Sequence, residues 1–190
     1  MTAPEAWTIL GEELVFDGSP WLQVTRQEVR LPDGRIVDDY YQIAIPPLAR
    51  VVAETEEDEL VLLRQYRHGA RRVTLALPGG RIEPSETPRE AAQRELLEET
   101  GYRAAEWRDL GSYVCNGNQG SSVAHTFLAT GARRVREPAS GDLEEDEVLV
   151  LSRAQLVERL AAGEVALLHH AGLIALTLIP GLRRSPPTAG

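Results

Sequence analysis

The chain has no lysine: all 20 of its basic residues are arginine. That absence removes a Schiff-base lysine and a Walker-type phosphate loop, which needs Gly-Lys-Ser/Thr. Cysteine is reduced to one, Cys115, so no internal disulfide is possible and a reducing cytoplasm is the expected compartment. Apolar runs are short. The longest, AGLIALTL from Ala171 to Leu178, falls far below the roughly 20 residues that span a bilayer. The first residues, MTAPEAWTIL, lack a basic stretch followed by an apolar block, so no secretory signal is expected. Positive charge is in deficit: the formal net charge of −9 argues against nucleic acid or an anionic membrane as the main partner. A small anionic substrate stays open, because metal ions or an arginine cluster can reverse the sign at one site. No Gly-x-Ser-x-Gly occurs, so a serine-nucleophile elbow is not supported.

What is present fits one sizeable domain with a small appendage, 43% apolar and 26% charged over 190 residues. The N-terminal part reads as β structure. Trp21–Leu31 and Ile36–Ile45 flank the turn PDGR, which predicts a hairpin. Pro46-Pro47 then punctuates the chain. Residues 1–45 are therefore expected as a β extension, 46–180 as the main domain, and 181–190 as a disordered tail. Further strands are predicted at Leu48–Glu54, Leu60–Gln65, Val73–Leu77, Trp107–Cys115, Val123–Ala129 and Val148–Leu151. A helix is predicted up to Thr100, with Thr87 as cap, Pro88 at its first position, Glu90 completing a capping box and Gly101 as the stop. Ser152 caps a second helix through Leu160, and Leu168–Leu178 forms a third. Strands alternating with helices predict an α/β fold, a mixed sheet covered by helices.

Residues 79–102 read GGRIEPSETPREAAQRELLEETGY. Glu95 lies three residues before Glu98 and four before Glu99, so all three carboxylates share about one turn of one helix face. Like charges at that spacing each cost a few tenths of a kcal/mol. They also sit near the helix C-terminus, where the dipole disfavours anions. A solvated acidic face is the plain reading of such a cluster. The preceding Pro-Gly-Gly turn favours another, because close-packed hard oxygens suit Mg²⁺ or Mn²⁺ and the glycines let backbone approach an ion or phosphate. Glu86 and Arg94 are of opposite charge and positioned to brace the loop against the helix.

Gly80, Glu86, Arg94-Glu95-Leu96, Glu98-Glu99 and Gly101 together resemble the signature box of the Nudix hydrolases. Tyr102 departs, standing where an aliphatic residue is usual. The resemblance implies an α/β/α sandwich with a mixed β-sheet, here preceded by an N-terminal β-hairpin extension. It implies hydrolysis of a nucleoside diphosphate linked to another group, with water attacking phosphorus. Glu95, Glu98 and Glu99 would be ligands of divalent metal, Mg²⁺ or alternatively Mn²⁺, with Gly79 supplying a further ligand. Glu98 and Glu99 thereby count among the catalytic residues. Arg94 and Glu86 would be structural props. Bound cations would neutralise the substrate's phosphate oxygens and acidify the attacking water.

More of the chain is similar to the ADP-ribose and ADP-sugar pyrophosphatase branch, which often carries an N-terminal β extension and is often homodimeric. Gln65-Tyr66-Arg67 matches a segment on the strand before the box, so Arg67 is expected to contact a phosphate or the terminal ribose. In the acidic loop GDLEEDE, Glu144 falls best on the general-base position, with Glu145 the near alternative. Trp21 and Tyr40 stand where aromatics of this branch sandwich adenine, their faces giving affinity without much base discrimination. Hairpin packing is the competing role for both. Arg50 and Glu54 lie where they could border the site. The loop SYVCNGNQGSS lacks the proline usual in this branch and offers Asn116, Asn118 and Gln119 instead, amides suited to sugar hydroxyls. The expected substrate is ADP-ribose or a related nucleoside diphosphate sugar. A nucleoside triphosphate or dinucleotide hydrolase, and a non-catalytic ligand sensor, are the alternatives. His169-His170 are neighbours pointing different ways on a helix, a poor metal pair expected on its surface.

Overall fold

Val51, Ala49 and Ala53 alternate with Val52 along one strand, and Val61 alternates with Leu60 and Leu62 along the next, all of them at most 1% exposed. A strand apolar on both faces must be covered on both, and in the computed structural model it is. That structure describes residues 4–139, 141 and 146–179. It divides into two compact units, one up to Pro47 with Val114–Val123, the other comprising Leu48–Tyr113 and the chain from Ala124.

The first unit is a three-stranded antiparallel sheet of β1 (Thr8–Gly18), β2 (Leu22–Arg30) and β3 (Ile36–Ala44), in the order β1-β2-β3. The sequence predicts only the β2–β3 hairpin. β1 escapes the pattern because register shifts at Ile9/Gly11 and Leu14/Phe16 interrupt its pairing with β2, and each extra residue flips the side-chain alternation. The amide-rich loop closes beside β3, where Ile43 N–H donates to Gln119 O and Ile45 N–H to Ser121 O.

The second unit holds β4 (Leu48–Thr55), β5 (Glu59–Arg67), β6 (Arg72–Ala76), α1 (Pro88–Thr100), β7 (Tyr102–Arg103), β8 (Glu106–Val114), β9 (Val123–Arg134), β10 (Glu147–Ser152), α2 (Arg153–Ala161) and α3 (Leu168–Leu178). Its sheet runs β10-β5-β4-β9-β7, with β6 on β5 and β8 on β9; β4 and β9 are parallel. On one face Ala91, Ala92 and Leu96 of α1 pack on Ala49, Val51, Ala53, Val61, Phe127 and Ala129. On the other, Leu156 of α2 with Leu173 and Ile174 of α3 pack on Val52, Leu60, Leu62, Leu75, Leu77 and Leu128. This is the α/β/α sandwich. β9 continues past its predicted end at Ala129 and past the left-handed Gly131, φ 64°, because Ala132 pairs with Thr55 and Arg133 and Arg134 pair with β7. Arg153 ties α2 to the sheet and to α3, donating to Glu54 Oε1 at 2.7 Å, to both oxygens of Asp58, and to Thr177 O.

The predicted capping box of α1 forms, and the Ser152 cap of α2 proves to be a box as well. Thr87 Oγ1 accepts from Glu90 N–H while Thr87 N–H donates to the Glu90 carboxylate, and Ser152 does the same with Gln155. Gly101 closes α1 at φ 76°. The predicted tail lies outside the described residues. Among the described residues no helix is long and apolar enough to cross a membrane.

Candidate active site

The turn Pro78–Gly80 leaves β6 and runs beside β4, with Val51 N–H donating to Pro78 O and Ala49 N–H to Gly80 O. Only glycine fits position 79. Its φ is 134°, and a Cβ there would stand 2.1 Å from the carbonyl oxygen of Ala49. A Cβ on Gly80 would meet Glu95 Oε1 at 2.3 Å. Gly79 thus lets the turn lie against β4, and Gly80 leaves the space that Glu95 of α1 occupies. Gly79 N–H donates to Glu99 Oε2 at 2.7 Å.

Arg94 organises the other carboxylates. Its Nε and Nη2 grip both oxygens of Glu86 at 2.6 and 3.0 Å, and Nη2 also donates to Arg81 O. Nη1 is shared between Glu95 Oε1 at 2.9 Å and Glu98 Oε2 at 3.1 Å. This planar fork, which lysine could not reproduce, braces the loop to the helix as expected. Glu86 is held below its ordinary pKa by that bond. Arg94 is raised above its own, first by Glu86.

Glu99 is not on a solvated face. It is 5% exposed, and loss of water pushes its carboxyl up to about 8; Glu95 and Asp146 push the same way, while Gly79 N–H and Arg50 oppose them. Asp146 is a site residue that the sequence reading missed. Its Oδ1 accepts from Nε2 of Gln65, itself 2% exposed, at 2.7 Å. Nothing distinguished it in GDLEEDE except its place at the foot of β10. Glu144 and Glu145 lie outside the described residues.

Arg50 on β4 lies near Glu99 and, with Arg67 at the end of β5, near the start of α3. Loss of water, then repulsion from these arginines, lowers His169 to about 4; for His170 loss of water and Arg50 come first, and the value is about 2. His169 is exposed as expected, but His170 is not. It is 0% exposed, and its Nδ1 accepts from Leu77 N–H at 2.8 Å. Adjacent helical residues face about 100° apart, which here sends one ring outward and the other into the core.

Trp21, Tyr40, Asn118 and Gln119 belong to the first unit. Tyr40 hydroxyl donates to Asn118 O at 2.8 Å, and Trp7 meets the Tyr40 ring edge-on at 5.4 Å. Asn116 Oδ1 accepts from the N–H groups of Asn118 and Gln119, shaping the turn. Trp21 is in the turn before β2, not on the strand, and is 66% exposed. Gln27 pairs with Tyr40, which puts Trp21 about 20 Å further along the sheet. One protomer therefore does not close these two rings on a single base.

Among the described residues no three histidine, cysteine or acidic side chains converge on one point. Glu95 and Glu98 meet at Arg94 Nη1, and Glu99 turns to Gly79. The donor chemistry nonetheless fits a hard divalent cation: carboxylate oxygens on one helix face, a glycine backbone against them, and a buried Glu99 whose charged form burial disfavours and a cation would restore.

The NUDIX domain model matches residues 45–170, and the model described as nucleoside diphosphate sugar hydrolase N-terminal domain matches residues 7–43. An ADP-sugar pyrophosphatase from Mus musculus is 36% identical, covering 85% of this chain and 80% of that one. A CMP-5'-(N-acetyl-N-hydroxy-3-aminopropyl)phosphonate hydrolase from Streptomyces rubellomurinus is 31% identical, covering 95% of this chain and 86% of that protein. Among solved structures, one described as an ADP compounds hydrolase superposes with a TM-score of 0.72 at 22% identity, covering 94% of this chain and 97% of that one, a likeness of fold.

Proposed function

This chain belongs to the Nudix family, and from that premise we propose that it hydrolyses the pyrophosphate bond of ADP-ribose or a related nucleoside diphosphate sugar. The products are a nucleoside monophosphate and a sugar phosphate. One observation carries the reading: Glu99 is buried against the glycine turn on the same helix face as Glu95 and Glu98, its Oε2 held by Gly79 N–H, and a cation among these oxygens would favour its charged form. Glu95, Glu98 and Glu99, with the Gly79 carbonyl, would hold Mg²⁺, or alternatively Mn²⁺. Such an ion supplies charge neutralisation at the phosphates and a more acidic attacking water.

The remaining roles fall to the chain's own groups. Arg94 keeps the carboxylates together and Gly79 N–H orients Glu99. Glu144, with Glu145 as the alternative, takes the proton of the water that attacks phosphorus, while the anhydride oxygen leaves with the second phosphate. Arg67 binds phosphate, Asn118 and Gln119 bind the sugar, and Trp21 of one protomer with Tyr40 of the other offer ring faces to the base. A relative named for a CMP conjugate beside one named for ADP-sugars supports a nucleotide-linked phosphate as the common substrate feature. The exposed thiol of Cys115 suits a reducing cytoplasm. The apolar edge sheet of the first unit, with Ile9, Leu14 and Phe16 each more than half exposed, supports a homodimer.

The test is orthophosphate released by added phosphatase after incubation with ADP-ribose, ADP-glucose, GDP-mannose and nucleoside triphosphates, with Mg²⁺ or with chelator. Turnover of a nucleoside diphosphate sugar, abolished by chelator, is expected. Preference for a triphosphate would move the chain to the other catalytic reading. Tight binding without turnover would make it a sensor.

A further inference from the structure

We propose that His170 is a positioning residue for the glycine turn, holding Pro78–Gly80 against the α1 carboxylates through the backbone N–H of Leu77. The proposal rests on the metal-site reading given above.

The backbone donors on either side of Pro78 each have a side-chain partner. The β5–β6 ladder ends at the pair Leu63 and Ala76, so Leu77 is the first residue beyond it. Leu77 is 0% exposed, and a buried N–H without a partner is strongly disfavoured. Its N–H donates to His170 Nδ1 at 2.8 Å. Pro78 has no N–H. The next donor, Gly79 N–H, goes to Glu99 Oε2. The turn's acceptors, Pro78 O and Gly80 O, take N–H groups of β4. The two donors on either side of Pro78 are thus taken by side chains from opposite helical layers, α3 and α1.

That arrangement holds the turn from both helical layers. Glu99 draws Gly79 toward α1, and His170 anchors the preceding residue to the α3 layer. With φ at 134° and no side chain, Gly79 has nothing of its own to hold that geometry. A histidine is a poor choice for packing alone at this place. Leu173 and Ile174, three and four residues on along α3, are apolar and at most 6% exposed. Among the described residues nothing accepts from His170 Nε2, so the bond to Leu77 is the one polar contact this ring makes there. Accepting at Nδ1 requires the neutral ring, and the depressed pKa of this group agrees with that.

The chemistry of the contact selects the variants. Asparagine carries its Oδ1 the same number of bonds from Cα as histidine carries Nδ1, so H170N keeps an acceptor in reach of Leu77 N–H. H170L fills the space without one. H170Q carries the acceptor one bond too far. Three readouts apply to the full chain: Mn²⁺ affinity without substrate, kcat and KM on the best nucleoside diphosphate sugar, and hydrogen exchange of the Leu77 and Gly79 amides in metal-free protein. H170L is expected to lose roughly 10- to 100-fold in Mn²⁺ affinity or kcat, the range for groups that orient metal ligands. KM should change little, both amides should exchange faster, and H170N should stay within about threefold of wild type. Should H170L not fold, H170N and H170Q decide alone: H170Q is expected about tenfold below H170N. Unchanged Mn²⁺ affinity and kcat in H170L, or an H170N no better than H170Q, would overturn the proposal. Wild-type protein that neither binds Mn²⁺ nor turns over a sugar nucleotide would instead overturn the metal-site reading, and this one with it.

Discussion

Glu99 is a carboxylate that the fold strips of water. Its carboxyl is 5% exposed, close to Glu95 and Asp146, and shifted to about 8, yet it accepts a 2.7 Å bond from Gly79 that favours its charged form. E99Q keeps an acceptor for that N–H and removes the charge. We expect kcat to fall by a factor on the order of 10³ or more in steady-state assays. The metal-free melting temperature above pH 8, where the carboxyl is charged, should stay the same or rise, because a buried charge repelled by Glu95 and Asp146 is gone. Activity near the wild-type level in E99Q would contradict the role given to the carboxylates. The cluster itself was legible as spacing, since i, i+3 and i+4 always share a helix face. Its burial was not. Burial depends on a turn fifteen to twenty residues upstream, where Gly79 lies against the Ala49 carbonyl and Gly80 leaves the space that Glu95 fills.

At the scale of elements, α1 was readable to both ends because its signals are local: Thr87, Pro88 and Glu90 at the start, Gly101 at the stop. α3 shows the opposite case. Its span was readable, but its role was not, because His170 meets Leu77 across a separation of 93 residues. That contact also gives α3 an acid-sensitive attachment. In the unfolded chain His170 titrates near 6.5, and in the fold only at about 2. Protons therefore bind the unfolded chain first. The stability this group contributes is complete above pH 6.5 and is lost as pH falls toward 2, by up to about 1.4 kcal/mol per pH unit. Urea unfolding of metal-free protein at stepped pH should show that loss beginning below 6.5, and H170N should fall more shallowly. Parallel curves for the two proteins would mean that the imidazole is not buried neutral.

For the molecule as a whole, the two units differ in how they are covered. The seven-stranded sheet is buried on both faces by α1 on one side and by α2 and α3 on the other. The three-stranded sheet has little cover of its own: Phe16 is 54% exposed, Ile9 56% and Leu14 51%, all on an edge strand. An edge with that much apolar surface invites a second copy of the chain. Sedimentation of the wild-type protein at micromolar concentration is expected to give a dimer mass, and I9E/F16E a monomer mass. A monomeric wild type would leave that sheet without the proposed role.

What the linear chain determined by itself lay within a few turns of helix or one regular strand: the caps, the periods of the strands without bulges, the carboxylate spacing and, through them, the family. Those terms act between residues whose separation is set by 1.5 or 3.3 Å of rise per position, so counting suffices. The tertiary structure alone decided which of the charged groups are stripped of water and which backbone donors meet which side chains. It buried His170, brought Asp146 beside Glu99, and pinned the glycine turn between two helical layers. Each of those outcomes depends on elements far apart in sequence meeting across a packed core, where desolvation makes a single hydrogen bond or charge matter in a way no local pattern encodes.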